Sequence, residues 1–117
     1  MESRFREKTV FERRLVDRLL ATPFPGSREL ALQLGDSLVC SIDQNGSVDF
    51  LVPTNEKVSV LNPIPVEAEA EDSDGITIHL LLHVIEGVAR GIEVYKEDGS
   101  DVIKFPDPTD LRLFSPP

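Results

Sequence analysis

The fold of this chain is decided by the stretch Glu67-Ala68-Glu69-Ala70-Glu71-Asp72-Ser73-Asp74-Gly75. Its glutamates alternate with alanines, which is the pattern of a β-strand with one side buried. Asp-Gly is a turn sequence, and the segment from Ile76 to Ile85 that follows it is mostly apolar. The stretch therefore predicts a β-hairpin with a row of negative charge on its solvent side. We call Glu67, Glu69 and Glu71 the acidic ladder.

The register of this hairpin follows from the cost of burying charge. A three-residue loop at residues 73–75, with Gly75 as its left-handed residue, places Ala70 opposite Ile78 and leaves Glu69 beside polar neighbours. A two-residue loop would instead place Glu69 against Leu80 and turn the acidic ladder toward the core. The sequence therefore predicts the three-residue loop.

Helices are predicted before the sheet. Thr9-Val10-Phe11-Glu12 has the form of a capping box, and apolar residues recur at helical spacing through Leu20. Thr22 to Gly26 contains two prolines and ends this amphipathic helix. Residues from Ser27 to Leu34 fit either a short second helix that stops at Gly35 or a strand, and we favour the helix.

Short apolar runs separated by turn residues predict the rest of an antiparallel sheet. The predicted runs are Leu38–Ile42, Val48–Val52, an edge strand at Lys57–Leu61, the two hairpin strands, Val88–Tyr95 and Val102–Phe105. This order of elements predicts an α+β fold, with the helical segment packed on an antiparallel β-meander of five or six strands.

The chain length is that of one ordinary domain. We expect a single domain over residues 1–117, with a helical segment at 9–34, a β-sheet at 38–105 and a tail at 106–117. The tail either docks through Leu113 and Phe114 or frays.

Charge and composition exclude several functional classes. The net charge is −9, with residues 1–28 carrying seven basic and four acidic groups (+3) and the remainder five and seventeen (−12). Such an acidic chain repels nucleic acid and anionic membranes, so neither is expected as a partner. The basic N-terminal segment either forms an interaction surface or packs across the acidic sheet of its own chain.

The predicted location is the cytoplasm. No apolar run reaches the roughly 20 residues of a membrane span, and the first residues lack the apolar core of a signal peptide. Cys40 is the single cysteine, so no intrachain disulfide can form, and its apolar neighbours predict a buried thiol.

No constellation of residues predicts catalysis, and we expect no metal and no cofactor. His79 and His83 lie on a predicted strand, where positions i and i+4 are about 13 Å apart, too far for one zinc ion. The Asp72-Ser73-Asp74-Gly75 turn lacks the ligand spacing of a calcium loop. The chain has no motif of a nucleophile, a metalloprotease or a phosphate loop.

Two polar clusters are the candidate binding surface. The first is the acidic ladder with the adjoining turn, and the second surrounds the single tyrosine of the chain, since an amphipathic aromatic ring among charges suits an interface. Either cluster is also compatible with an ordinary solvated face. The candidate binding residues are Glu67, Glu69, Glu71, Asp72, Asp74, Glu93, Tyr95, Lys96 and Asp98.

The same residues resemble a known family. An acidic strand, Asp72-x-Asp74-Gly75, a long apolar strand, Glu93-Val94-Tyr95-Lys96-x-Asp98 and a closing Pro106 are similar to a family of small bacterial domains of unknown function. Members commonly carry Trp-Lys where this chain has Tyr95-Lys96, which is a mild departure. The resemblance implies a bacterial source and a stand-alone fold, and it implies no reaction and no catalytic residues.

Three functional hypotheses remain. The first is a non-enzymatic protein-binding module, immunity- or adaptor-like, that offers its acidic hairpin to a basic protein partner. The second is a small-ligand or hydrolytic domain with a pocket between helix and sheet, using Glu93, Tyr95, Lys96 and His79. The third is a homodimer that pairs through the predicted open edge at Val58–Leu61.

Overall fold

The computed structural model describes residues 4–54 and 56–116 and shows an α+β fold. Residues 1–3, Asn55 and Pro117 belong to the predicted domain but lie outside the described residues. Two helices, α1 (Val10–Ala21) and α2 (Ser27–Gly35), precede most of the sheet. The strands are β1 (Arg6–Glu7), β2 (Leu38–Ser41), β3 (Val48–Leu51), β4 (Glu67–Glu71), β5 (Thr77–Ile85), β6 (Val88–Lys96) and β7 (Arg112–Phe114).

The start of α1 confirms the predicted capping box. The Glu12 amide donates to the Thr9 hydroxyl at 3.1 Å, and the Thr9 amide donates to the Glu12 carboxylate at 2.9 Å. A cap of this kind stabilises a helix by about 1 kcal/mol. The ambiguous segment from Ser27 is a helix and ends at Gly35, as favoured from the sequence.

The hairpin of β4 and β5 has the predicted register. Ala70 pairs with Ile78 and Glu69 pairs with His79. Gly75 has a φ of +83°, a left-handed conformation that glycine adopts without steric cost, and its amide donates to the Asp72 carbonyl. The alanines of β4 are therefore buried, while the acidic ladder faces away from the core.

The sheet is antiparallel and has seven strands in the order β1-β2-β3-β6-β5-β4-β7, slightly more than the five or six predicted. The strands at its two edges, β1 and β7, are short and were not predicted as strands. The chain departs from a simple meander twice. The connection after β3 crosses to β4 and leaves β3 beside β6, and the chain after β6 crosses back so that β7 pairs with β4. The tail is thus docked, with Leu113 opposite Ala68.

Two predicted strands are wrong. Residues 57–61 form no strand, because the Val58 amide donates to the Gly87 carbonyl of the β5–β6 turn, and the segment lies against that turn. The edge at Val58–Leu61 on which the homodimer hypothesis depended is therefore not a sheet edge.

Residues 102–105 also form no strand, because their amides bind side chains instead of a neighbouring strand. The Val102 amide donates to Asn45, and the amides of Ile103 and Lys104 donate to Asp72. Side-chain acceptors thus replace the ladder that a strand would need.

The core lies between the helices and one face of the sheet. Leu15, Leu19, Leu30 and Leu34 of the helices join the inward residues of β2 to β6 in one buried cluster. Cys40 is also buried, as predicted. On the opposite face of the sheet, the side chains of β4, β5 and β6 are partly or fully exposed. Most of the candidate binding residues lie on this face.

Candidate functional site

The candidate site lies on the sheet face that points away from the helices, which we call the outer face. Strand alternation and register place several charged and aromatic side chains there, from β4, β5, β6 with its following residue, and β7. The outer face includes Glu67, Glu69, Glu71, His79, His83, Glu93, Tyr95, Glu97 and Arg112. Five of these nine side chains are carboxylates, three on β4 and two on β6 and the residue after it, so an acidic surface lies on both sides of β5.

Arg112 partly neutralises the acidic ladder. Its guanidinium donates two hydrogen bonds of 2.8 Å to the Glu71 carboxylate, and it lies 3.3 Å from Glu69 Oε1. The bond from Arg112 lowers the pKa of the Glu71 carboxyl. Among the described residues, no arginine or lysine forms an ion pair with Glu67. One end of the ladder is therefore an internal ion pair, and the other end remains available.

An aromatic stack occupies the centre of the outer face. The rings of His79 and Tyr95 are stacked across neighbouring strands, with centroids 5.0 Å apart and planes 19° from parallel. His79 also lies 3.7 Å from Glu97 and 3.9 Å from Glu69. Tyr95 is 40% exposed, so a large amphipathic ring lies among carboxylates on a surface that a partner can reach.

Glu93, the glutamate within β6, is paired with a histidine. His83 Nε2 lies 2.9 Å from Glu93 Oε1, and both side chains are partly exposed. His79 and His83 are thus held by separate carboxylates and do not converge. Among residues 4–54 and 56–116, no group of three histidine, cysteine, aspartate or glutamate side chains is arranged to hold a metal ion.

Lys96 was predicted as a surface residue, but it lies inside the fold. Its side chain is fully buried, and its ammonium lies 3.1 Å from Asp72 and 2.5 Å from Asp74. The Asp72 carboxylate is buried too, and it accepts the amides of residues 103 and 104 at 2.7 and 2.9 Å. We call Asp72, Asp74 and Lys96 the hairpin anchor, because they tie the β4–β5 turn to β6 and to the 102–105 segment.

Electrostatics keep the hairpin anchor charged. Burial alone would raise the pKa of the Asp72 carboxyl, but three backbone amides and the Lys96 ammonium lower it well below its ordinary range. The hydrogen bond from Lys96 lowers the pKa of Asp74 and raises the pKa of Lys96 itself. The three groups therefore satisfy one another, and Asp72 and Lys96 are not accessible to a partner.

Strand periodicity contains a signal for this anchor that the sequence analysis missed. Asp72 continues the inward series of Ala68 and Ala70, and Lys96 continues the inward series of Ile92 and Val94. Two opposite charges at inward positions near the same end of a hairpin indicate a buried ion pair.

Asp98, the last candidate residue, serves the turn after β6. Its carboxylate accepts the Ser100 hydroxyl at 2.6 Å and the Ser100 amide at 3.0 Å. The bond from the Ser100 hydroxyl lowers the pKa of Asp98. This is an Asx-type turn contact, which fixes the local backbone.

The basic helix does not pack across the acidic ladder. Arg14 of α1 forms a 2.8 Å ion pair with Asp107, and Arg18 donates to the carbonyls of Pro108 and Leu111. The hydrogen bonds from the Thr109 backbone and hydroxyl and from Arg14 lower the pKa of Asp107 to about 2. Two basic groups of α1 therefore bind residues 107–111, and the outer face keeps its own charge.

A cavity does lie between helix and sheet, but the residues proposed for it are elsewhere. It is lined by α1, by inward residues of β2, β3 and β6, and by residues 102–105. Glu93, Tyr95 and His79 lie on the outer face, and Lys96 belongs to the hairpin anchor. The hydrolytic variant of the ligand hypothesis thus loses the residues assigned to it.

The fold and the site define a class: a small α+β domain whose antiparallel sheet has one face covered by helices and one face open and acidic. The chain belongs to the family of the domain of unknown function DUF6984, whose model matches residues 5–106. No curated protein and no protein of solved structure matches the chain. No helix within the described residues has the length and apolar character needed to span a membrane.

Proposed function

We propose that this protein is a non-enzymatic binding module that holds a basic segment of a partner protein on its outer face. The observation that carries the proposal is the position of Tyr95, which is 40% exposed on the outer face between Glu93 and Glu97 and lies in one row with His79 and Glu69. Tyrosine is enriched at the energetic centres of interfaces because its ring buries a large area while its hydroxyl binds polar groups.

Charge supports a basic partner. Glu67, Glu93 and Glu97 form no ion pair with arginine or lysine among the described residues, so a partner's cations can pair with them. The net charge of −9 adds a long-range attraction that speeds encounter with a basic surface. A guanidinium or ammonium placed over the Tyr95 ring would gain a cation–π contact as well.

Apolar side chains at the margins of the outer face favour a protein over a small cation. Ile85 at the end of β5 is 53% exposed and Phe114 of β7 is 46% exposed. An acidic sheet face with exposed apolar residues at its margin has the mixed polar and apolar composition of a protein interface.

The test is affinity capture from a lysate of the source organism, followed by calorimetry with the captured partner. The bait variant combines Glu67→Gln, Glu93→Gln and Glu97→Gln, which removes the three carboxylates that Arg112 does not hold. Binding should weaken by about tenfold or more and lose most of its salt dependence. Glu69 and Glu71 stay unchanged because their substitution would also release Arg112.

The control variant changes the same amount of charge on the helix side of the molecule. Glu29→Gln, Asp36→Asn and Glu56→Gln remove three exposed carboxylates that line one shallow pocket beside α2. This variant should retain the partner as wild type does. Equal recovery on the outer-face variant and on wild type would overturn the proposal, and so would a captured partner that lacks a basic segment.

A further inference from the structure

A cavity of about 310 Å³ lies between the N-terminal half of α1 and the sheet. Apolar side chains form most of its walls, and the 102–105 segment lines one side. The rings of Phe11 and Phe105 meet edge to face at this side, with centroids 5.0 Å apart. The apolar lining includes Phe11, Val39, Val48, Phe50, Val102 and Phe105.

We propose that this cavity is a binding site for a small, neutral, ring-containing molecule that carries one hydrogen-bond acceptor. The inference goes beyond the proposed function, since the cavity and the outer face lie on opposite sides of the sheet. Its volume is about twice the roughly 150 Å³ that holds one benzene ring and reaches the lower end of the range for ligand pockets. Water inside such walls would find few hydrogen-bond partners.

The expectation that the ligand carries a hydrogen-bond acceptor comes from the polar end of the cavity. Asn45 lines the cavity, and its side-chain oxygen accepts the Val102 amide at 2.9 Å. Within residues 4–54 and 56–116, the NH₂ group of Asn45 donates to no acceptor. A hydroxyl or carbonyl oxygen on the ligand would pair this donor at the boundary between polar and apolar walls.

The charge around the cavity excludes ionised ligands. The Glu12 carboxylate lines it and already accepts Arg6 at 2.6 and 2.9 Å and the Thr9 amide at 2.9 Å. A buried cation would find this carboxylate occupied, and a buried anion would face it directly. Either charge would lose its hydration without compensation, so a neutral molecule is favoured.

The test uses 1-naphthol, a neutral two-ring molecule with one hydroxyl, titrated into the wild-type protein and followed by amide chemical shifts. Saturable shifts are expected at Gly46, Val48 and Val102, which line the cavity. 1-Naphthoate, which has the same rings and a negative charge, should bind at least about tenfold more weakly. Absence of saturable shifts at these amides, or equal binding of naphthoate, would refute the proposal.

Two variants address the cavity itself. Val102→Phe extends a loop side chain of intermediate exposure into the cavity and should weaken binding by about tenfold or more. Val10→Phe is the matched control, because Val10 is 73% exposed on α1 and does not line the cavity. Unchanged affinity in Val102→Phe, with an unfolding temperature like that of wild type, would contradict the assignment.

Asn45→Asp is a second variant of the cavity, and it tests ligand binding even if Val102→Phe does not fold. The aspartate retains the oxygen that accepts the Val102 amide and removes the NH₂ donor at nearly constant shape. The loss should be severalfold for 1-naphthol and smaller for naphthalene, which has no oxygen to accept the bond. An equal change for both molecules would show that the NH₂ group does not contact the ligand.

Discussion

Two groups of carboxylates lie next to each other in one hairpin and serve opposite purposes. The hairpin anchor holds Asp72 and Lys96 fully buried, with each charge paired. The acidic ladder lies on β4, directly before Asp72, and points its carboxylates outward, where Arg112 pairs with two of them. In the sequence the two groups form one continuous acidic stretch. They differ in the face of the sheet toward which their side chains point.

In this hairpin, the length of an acidic side chain and its position in the strand alternation decide whether it is buried as part of the structure or exposed at the surface. Asp72 sits at an inward position where its short side chain meets backbone amides of the 102–105 segment. Glu67 sits at an outward position and has no ion-pair partner among the described arginines and lysines. Substitution of the first should therefore change stability, and substitution of the second should change binding.

The largest expected effect is that of Asp72→Ala. This change leaves the Lys96 ammonium buried with one partner fewer, and it leaves the amides of residues 103 and 104 without their acceptor. The midpoint of thermal unfolding should fall by about 10 to 20 °C, measured by circular dichroism. Asp98→Ala, which removes a turn contact at the surface, is the control and should lower it far less. Similar losses in both variants would contradict the central role of the anchor.

Acid should weaken the hairpin anchor, because the Asp72 carboxylate loses its charged contacts when it is protonated. The folded pKa of Asp72 lies well below its ordinary value of 3.8, so its charged contacts stabilise the fold above about pH 4 and this contribution fades as the pH falls toward the folded value. The unfolding midpoint of wild type should therefore drop steeply between about pH 4 and pH 2. The Asp72→Ala variant, compared with wild type over the same range, should show a shallower slope, and an unchanged slope would assign acid sensitivity to other groups, such as Asp107.

Arg112→Gln tests the one place where the ladder is paired. The guanidinium is about half exposed, so its ion pairs with Glu69 and Glu71 are screened by solvent, and the unfolding midpoint should fall by less than about 4 °C. The same change leaves the outer face more negative, so a basic partner should bind more tightly at low salt. Arg28→Gln, which removes an exposed charge on α2, is the matched control. A large loss of stability would mean that Arg112 anchors β7 as Lys96 anchors the turn.

The fold could be predicted to the extent that its contacts are local in sequence. The capping box of α1 and the register of the β4–β5 hairpin depend on residues a few positions apart, and both are confirmed. The supposed strand at residues 102–105 is wrong because its amides bind Asp72, a partner 31 and 32 positions earlier. Apolar alternation cannot show that side-chain acceptors will replace a neighbouring strand.

The candidate site was predicted in outline and missed in two details. The outward ladder and Tyr95 are where strand phase places them. The alternation of Leu111-Arg112-Leu113 indicates a short strand with one basic side. The pairing of Arg112 with the acidic ladder could not be predicted, because it requires that this strand join the sheet beside β4. Lys96 was predicted at the surface with the polar residues around Tyr95. It lies two residues after the inward-facing Val94, so strand alternation places its side chain inward as well.

The smallest effect on stability should come from Glu67→Gln, and this makes it the sharpest test of the comparison. Glu67 forms no ion pair among the described residues, and its neighbour Glu69 repels it only weakly through water at the spacing of alternate strand residues. The unfolding midpoint should shift by less than about 2 °C, and the direction should be upward because one repulsion is removed. Association with a basic partner should nevertheless slow, as stopped-flow measurements at low and high salt would show, since an open surface charge acts mainly on the encounter rate. If Glu67→Gln lowers stability as Asp72→Ala does, the ladder is part of the structural framework and the separation of the two carboxylate groups fails.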